Sequence, residues 1–595
     1  EWSVFPNVKI KSTLGINYSQ RERNDFIPSL TQGNPNNPPT GRLRNNRDID
    51  IQQENFINYS NTWGNHDFSA FAGMQIQRWT LENLDIGGQF ISSAIQTFNN
   101  VDPLNFGVNN ASTQKHNLFS LFGGFNYDYK NKYLISGTVR RDGSSRFGDA
   151  NEYGIFPAAS VGWRISNEEF LKGSSTVNNL LVKASYGEIG NERIANYAFT
   201  SALVPGANYT GPGVSQTRIG NPNLSWEATT SVNLGLELDM FKNRFNFGID
   251  FWQKTTTDLL ANVPLPEESG FGSLLQNVGS VKNRGIDLTI GGDIIKTKGF
   301  TWNSNFNIAY LENEVTELAG GTPFFSGRYL VEEGQPIGNI FGFTNTGIFQ
   351  YTESNAFTDD GTQLTPNFDV DGNFVNYTLN GSEFTGTVNQ LRSNGRTLQG
   401  GDIIWEDLNG DFNIDPANDR KVIGNGLPTY FGGWTNTFRL KDFTLSVLFD
   451  YSLGQDIYAR WDEARNDLRS SNQTPNPVFI NNAWREEGDI TVYPRLNRVP
   501  QLRNRPNSFY IQNGDWIKLR YVRLNYNLPK TFIDKVDWLG AFSINLAVNN
   551  VLTWTEYTGY NPELGRRGNA LQVNEDNLRY PNDREIILGL KLQLK

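Results

Sequence analysis

No cysteine occurs anywhere in the chain, which removes disulfides, thiolate metal sites and a cysteine nucleophile together. Histidine is almost as scarce. His66 and His116 are the only two, far apart, and each reads as an ordinary strand or loop residue rather than a ligand or base. No run of about 18 apolar residues exists, so no transmembrane helix is encoded. No signal peptide opens the chain either, since Glu1 leads directly into polar, strand-like sequence. An excess of positive charge is also missing. With a net charge of −10, a pI near 5.1 and no basic stripe, nucleic acid is excluded as a partner. Nor does an enzyme constellation appear. Glu168 and Glu169 read as a solvated helical turn, and Asp142 and Arg146 flank a Gly-Ser-Ser turn with no base to activate a serine.

What the chain does have is aromatic side chains, at 13%, and 58 glycines in 595 residues, with a mean hydropathy of only −0.50. That pairing fits a membrane β-barrel, in which lipid-facing and lumen-facing residues alternate and cancel in any average. Alternation with a period of two recurs throughout. In 118–129, Phe119, Leu121, Phe125, Tyr127 and Tyr129 share one face, while Ser120, Asn126 and Asp128 lie on the other. In 244–252, Phe245, Phe247, Ile249 and Phe251 oppose Asn246, Gly248, Asp250 and Trp252. In 443–451, Phe443, Leu445, Val447, Phe449 and Tyr451 oppose Thr444, Ser446, Leu448 and Asp450.

The pattern predicts about sixteen strands. They fall near 8–18, 49–62, 66–81, 115–129, 132–142, 154–166, 179–187, 226–238, 244–255, 279–293, 300–312, 430–438, 443–452, 515–527, 541–549 and 586–594. So many strands with hardly a helix between them exceed what an open soluble sheet sustains, and in lipid a sheet must close. The expected fold class is therefore all-β, a transmembrane antiparallel β-barrel. Connections alternate in length. Long ones cover 19–48, 82–114, 143–153, 188–225, 256–278, 313–429, 453–514 and 550–585, with short turns such as Lys130-Asn131 and Lys441-Asp442 between them. Long extracellular loops and short periplasmic turns produce this alternation. The segment 313–429 is too long for a bare connector and is expected to be a folded cap or partner surface. Ile457, Trp461, Ala464 and Leu468 recur at helical spacing, which suggests one amphipathic loop helix.

Polar residues on the inward face are the candidates for substrate contact: Asn246, Asp250, Trp252, Asn303, Asn305 and Asn307, with Asn233, Glu237 and Asp239 beside them. They suit a sugar, and they suit packing against an internal plug equally well. A second motif places oxygen donors at alternate residues, Asp407, Asn409, Asp411, Asn413 and Asp415, with Asp419 just past the twelfth position. That spacing suits a structural Ca2+ or Mg2+. Phe412 stands where a calcium loop has glycine, and Asn418 where it has glutamate, so a metal-free turn network is the alternative. No other cofactor is implied.

Several stretches carry a family resemblance. The longest is GDIIWEDLNGDFNIDPANDRKVIGNGLPTYFGGWTNTFRLKDFTLSVLFDYSLGQDIY at 401–458. RRDGSSRFG at 140–148, FPAASVGWRISNEEFLK at 156–172 and LVKASYGEIGN at 181–191 support it. So do NPNLSWEATTSVNLGLEL at 221–238, GSVKNRGIDLTIGG at 279–292, GDWIKLRYVRLNYNLP at 514–529 and NNVLTWTEYTGYNPE at 549–563. In order and across most of the chain, these resemble the SusC/RagA family of TonB-dependent outer-membrane transporters of Bacteroidota. The resemblance implies a barrel of about 22 strands with an internal plug, import driven by the TonB complex, and a SusD-like surface lipoprotein as lid. The cargo it implies is oligosaccharide or peptide. About sixteen strands of that number are visible, so the first barrel strands, plug and TonB box are expected upstream of Glu1, and 1–595 to be the C-terminal part of the barrel. Two other readings stand beside it: a passive sixteen-stranded porin, and a surface or secretion-associated barrel acting as a binding scaffold.

Overall fold

The structure is a computed structural model, and it describes every residue except 32–36, 98–99, 209–210, 467–475, 497–505 and 566–570. Its described part divides into two compact units. One holds residues 1–242 and 250–282, the other 243–249 and 283–595.

The main sheet of the first unit runs through nine strands: β1 (Trp2–Phe5), β2 (Val8–Ile27), β3 (Thr40–Trp63), β4 (His66–Phe90), β5 (Val101–Tyr129), β6 (Tyr133–Ser144), β7 (Tyr153–Arg164), β8 (Val177–Asn191) and β9 (Glu227–Met240). Each pairs antiparallel with the next, an uninterrupted meander. Strands β10 (Phe245–Thr257) and β11 (Ser280–Lys296) are each divided between the units. The second unit carries another meander: β12 (Phe300–Glu317), β13 (Tyr430–Leu440), β14 (Phe443–Leu453), β15 (Trp516–Asn527), β16 (Leu539–Thr555) and β17 (Glu585–Leu594).

Register follows hydrophobicity. On one face of the first meander His66, Tyr129, Tyr133 and Trp163 lie in a cross-strand row beside the short turns. Above them Tyr127, Phe125, Leu121 and Phe119 continue on β5 until Asn117 and Lys115 end the apolar run. That is about eleven residues, the length of one tilted crossing of a bilayer's hydrocarbon layer. Side chains of this face are bare: Phe125 is 41% exposed, Val161 54% and Leu234 52%. An exposed apolar face this extensive is stable only against lipid. The opposite face is polar and forms the inner wall. The hairpins close as their twist requires, with Lys130 and Asn131 both at positive φ, the type I′ geometry that matches right-twisted strands.

Three expectations are corrected. The long loops placed at 19–48 and 82–114 are mostly strand. Strands β2 to β5 run for 20, 24, 25 and 29 residues, well past the apolar band. Outside lipid, charge pairing takes over from hydrophobic alternation. Arg42 pairs with Asp85 and Arg47 with Glu82, and Arg44 lies 3.3 Å from Asp25. The amphipathic helix is also shorter than expected. Ile457 lies in a short strand, Asp456–Ala459, and the helix covers only Arg460–Arg465; Leu468 falls outside the described residues. Ile457 and Tyr458 are fully buried, and this strand pairs with Ile511–Asn513 and Glu575–Asp576, so tertiary burial overrides the local helical period. Within 318–429, Phe343, Phe349, Leu398, Trp405 and Ile414 form a buried core, so this connection is a folded body.

The turn at 165–176 differs from a solvated one. Both oxygens of Glu168 are held: Lys132 Nζ donates at 3.0 Å, Tyr133 Oη at 2.8 Å and Trp163 Nε1 at 3.1 Å. The bonds from Lys132, Tyr133 and Trp163 hold its carboxyl down at about 2, against an ordinary 4.5. A depressed carboxyl stabilises the fold fully above its unfolded value and loses that contribution as pH falls through the folded one. Chemical denaturation of wild type and Glu168→Gln is therefore expected to differ most above about pH 4.5, with the gap closing toward pH 2. A gap independent of pH would show that the carboxylate's charge is not what Lys132 and Tyr133 recognise.

Candidate functional site

The polar face of the strands carries the side chains that the sequence offers as contacts for a solute. In the first unit Lys183 on β8 organises the wall. Its Nζ donates to Glu237 at 2.7 Å and lies 3.4 Å from Asp250. Asn179 donates to Asp239 at 3.2 Å, and Asn233 shares that face opposite Ser185. Trp252 sits two residues beyond Asp250, with its buried Nε1 unpartnered among the described residues and Lys254 Nζ 5.5 Å from its ring.

In the second unit the asparagines expected from the sequence form a ladder. Asn303 donates to Asp293 at 3.1 Å, Asn305 donates to Asn303 at 2.6 Å, and Asn307 accepts the Gly433 N–H at 3.0 Å. The amide oxygens of Asn246 and Asn305 close over Gly291, in space that any Cβ there would fill. Thus Asn246, Asn303 and Asn305 are brought together, and Asp250 joins Glu237 around a lysine. Sequence reading missed the cations. Lys183, Lys518 and Arg520 lie on strands whose alternation reveals a face but not the partner across it.

The richest cluster lies at the extracellular end of β15. Lys518, only 2% exposed, donates to Glu563 at 2.7 Å. Arg520 grips the same carboxylate with two nitrogens, at 2.9 and 3.1 Å, and reaches Asp450 through Nε at 2.8 Å. Burial works to raise the Glu563 carboxyl, and the bonds from Arg520 and Lys518 outweigh it, holding it below its ordinary range.

One arrangement superficially resembles a hydrolase. Buried His116 has Glu192 at 3.0 Å and Ser144 at 3.4 Å, but both meet the same ring nitrogen, Nε2. A relay needs one partner on each nitrogen. Arg146 completes the cluster by donating to Asn196 and to the Glu192 carbonyl, so this is loop hydrogen bonding.

The loop 407–419 is wound around its own amides. Asp407 accepts from Gly410 and Phe412, Asp411 from Asn413 and Asn409, and Asp415 from Ala417 and Asn418. Asn409 accepts from the Asp411 N–H at 3.3 Å. Phe412 takes φ 60° where glycine would be favoured. Asp419, 1% exposed, accepts from Leu408 at 2.9 Å and Asp415 at 2.7 Å. Burial pushes its carboxyl above the ordinary range against those two bonds. Among the described residues no three carboxylate or imidazole groups converge as a cation shell requires. Asp419→Ala leaves the part-buried N–H groups of Leu408 and Asp415 without this acceptor, and is expected to speed hydrogen exchange across 407–419. The same measurement in EDTA reads whether a cation adds to these bonds: faster exchange shows that it does, identical rates that the amides suffice.

Comparison with known proteins agrees with this architecture. A family model described as TonB dependent receptor-like, beta-barrel, matches residues 2–390. TonB-dependent receptor P39 of Formosa agariphila is 45% identical over 595 residues, covering 99% of this chain and 57% of that protein. TonB-dependent receptor SusC of Bacteroides thetaiotaomicron is 25% identical, covering 100% of this chain and 55% of that protein. The solved structure of the RagAB peptide transporter superposes with a TM-score of 0.78 at 25% identity, over 99% of this chain and 60% of that one. The chain thus spans 55–57% of the length of these curated relatives. It belongs to the TonB-dependent receptor-like β-barrel family, a transmembrane and non-enzymatic class.

Proposed function

We propose that the chain is the barrel portion of an outer-membrane importer powered by TonB, taking up oligosaccharides or peptides beneath a SusD-like lipoprotein lid. The observation that carries this reading is the 45% identity to a TonB-dependent receptor along 99% of the chain. The inner wall supports it. Amides, carboxylates, one tryptophan and paired cations are the groups that hydrogen-bond sugars and peptides. The folded body within 318–429 and the loops joined to it offer a surface for a lid.

Two measurements test it. The full-length protein, purified by a tag from the native membrane, is expected to bring a surface lipoprotein with it. Uptake of labelled oligosaccharide or peptide by intact cells should stop when TonB is deleted. Uptake that persists without TonB would replace the importer with a passive porin, and a barrel that binds cargo without moving it would be a scaffold.

A further inference from the structure

One row of inner-wall positions crosses four strands of the second unit in register: Asn307, Gly433, Asp450 and Lys518. An amide, a gap without side chain, a carboxylate and an ammonium are thus presented side by side. Arg520 sits in a register break between Leu519 and Tyr521, where one extra residue lets the strand re-aim a side chain. Its guanidinium meets Asp450 on the wall and Glu563, which comes from the connection between β16 and β17.

The charges show what this notch requires. Lys518 is almost wholly buried, and burying a cation is costly unless an anion pairs with it. Asp450 already belongs to Arg520, so the wall alone carries two cations and one carboxylate. Glu563 supplies the missing negative charge, gripped by a two-pronged guanidinium and a second ammonium. That is the geometry by which proteins recognise a carboxylate as a ligand. Glu563 is nonetheless a loop residue, with more than a third of its side chain exposed, whereas the cations are anchored in the wall. Asp450 Oδ1 is buried with no partner among the described residues, which leaves an acceptor beside the cations for a hydroxyl or amide.

We propose that Lys518 and Arg520 form a carboxylate-binding subsite for anionic cargo, and that Glu563 occupies it as the chain's own stand-in. The proposal rests on the importer reading and narrows the cargo to molecules bearing a carboxylate, either a uronic acid or a peptide C-terminus. Breaking a buried ion pair is unfavourable unless another charge replaces the one withdrawn, so Glu563 leaves by exchange. Cargo binding and withdrawal of the Glu563 side chain are thereby one event.

The test uses the full-length protein in detergent with any lipoprotein that accompanies it. Titration calorimetry compares trigalacturonate and trialanine with maltotriose and trialanine amide. Glu563→Gln removes the competing charge, and is expected to tighten binding of a carboxylated probe at least tenfold while the probes without a carboxylate stay unchanged. Adding Lys518→Met to that variant should abolish the gain. A gain for trigalacturonate alone identifies uronic acid, one for trialanine alone the peptide terminus, and a gain for both the shared carboxylate. No gain, or an equal gain for the probes without a carboxylate, overturns the subsite. Should Glu563→Gln misfold, a reporter replaces it. The 595 residues lack cysteine, so Tyr580→Cys, at an 84% exposed position on the same connection, takes a bimane label in an otherwise unaltered barrel. Carboxylated probe should then shift its emission, and an unchanged spectrum at saturation sinks the exchange. A binding gain without TonB-dependent uptake keeps the subsite and removes the importer; uptake without any gain does the reverse.

Discussion

Arg328→Met is expected to unfasten the extracellular connections from one another while the membrane strands stay paired. The Arg328 guanidinium donates to Glu463 at 2.9 Å and to Glu575 at 3.1 Å, and lies 3.9 Å from the centre of the Tyr458 ring. Those partners come from two different connections, the one between β14 and β15 and the one between β16 and β17, so one side chain joins three segments. The arginine and both carboxylates are buried, with side chains 11–13% exposed. Removing the cation leaves two buried acids with insufficient compensation, a loss of about 3–5 kcal/mol. Arg460 makes the natural control. It also bonds Glu575, at 2.8 Å, but from a side chain 48% exposed, where an ion pair contributes only about 0–1 kcal/mol. Hydrogen exchange should therefore accelerate across 456–465 and 573–576 in Arg328→Met, barely change in Arg460→Ala, and stay unchanged along Trp516–Asn527. Arg328→Lys should recover only part of the protection, because lysine lacks the planar guanidinium whose separate nitrogens meet Glu463 and Glu575 while its face lies over the Tyr458 ring. Equal exchange in Arg328→Met and wild type would show that the buried aromatic contacts around Tyr458 and Tyr510 hold the loops by themselves.

The second large effect separates neighbours on one strand. Leu234 lies midway along β9 on the apolar face, beside Ala184 across the strand pair, and Asn233 points to the opposite face beside Ser185. Arginine on a barrel's lipid face near mid-membrane costs about 2–4 kcal/mol, whereas an inner-wall cation remains hydrated. Leu234→Arg should thus sharply reduce the heat-modifiable, folded form on electrophoresis, and Asn233→Arg should leave it near wild type. The opposite ranking would mean that the two faces have been exchanged. A one-residue register slip inverts every side chain, so no partial failure imitates that outcome.

Alternation alone located the membrane strands. Each expected strand is present, from Val8–Ile27 to Glu585–Leu594, because lipid on one side and a polar wall on the other impose a period of two along every crossing. Errors begin where lipid ends. Strands β2 to β4 continue with arginine–carboxylate pairs across them, which show no hydrophobic period, so their upper halves were expected to be loop. The helical spacing of Ile457, Trp461 and Ala464 misled for a related reason. A segment buried on all sides has no solvent face to set a period, and its pairing with residues more than fifty positions away prevailed.

The inner wall divides along the same line. Asn246, Asp250, Asn303, Asn305 and Asn307 could be placed on the polar face by counting residues, since face depends only on parity within a strand. Which of them meet was decided by register between strands. Register brought Asn246 and Asn305 together over Gly291 and set Asp250 beside Lys183. Glu563 was beyond any such reading. It lies in an irregular connection more than forty residues from Arg520, and only the folding of that loop onto the wall joins them. The sequence by itself determined which residues face lipid and which face inward, because hydrophobic burial is local and periodic. The tertiary structure decided which charges are neighbours, because ion pairs form between segments whose separation along the chain leaves no local trace.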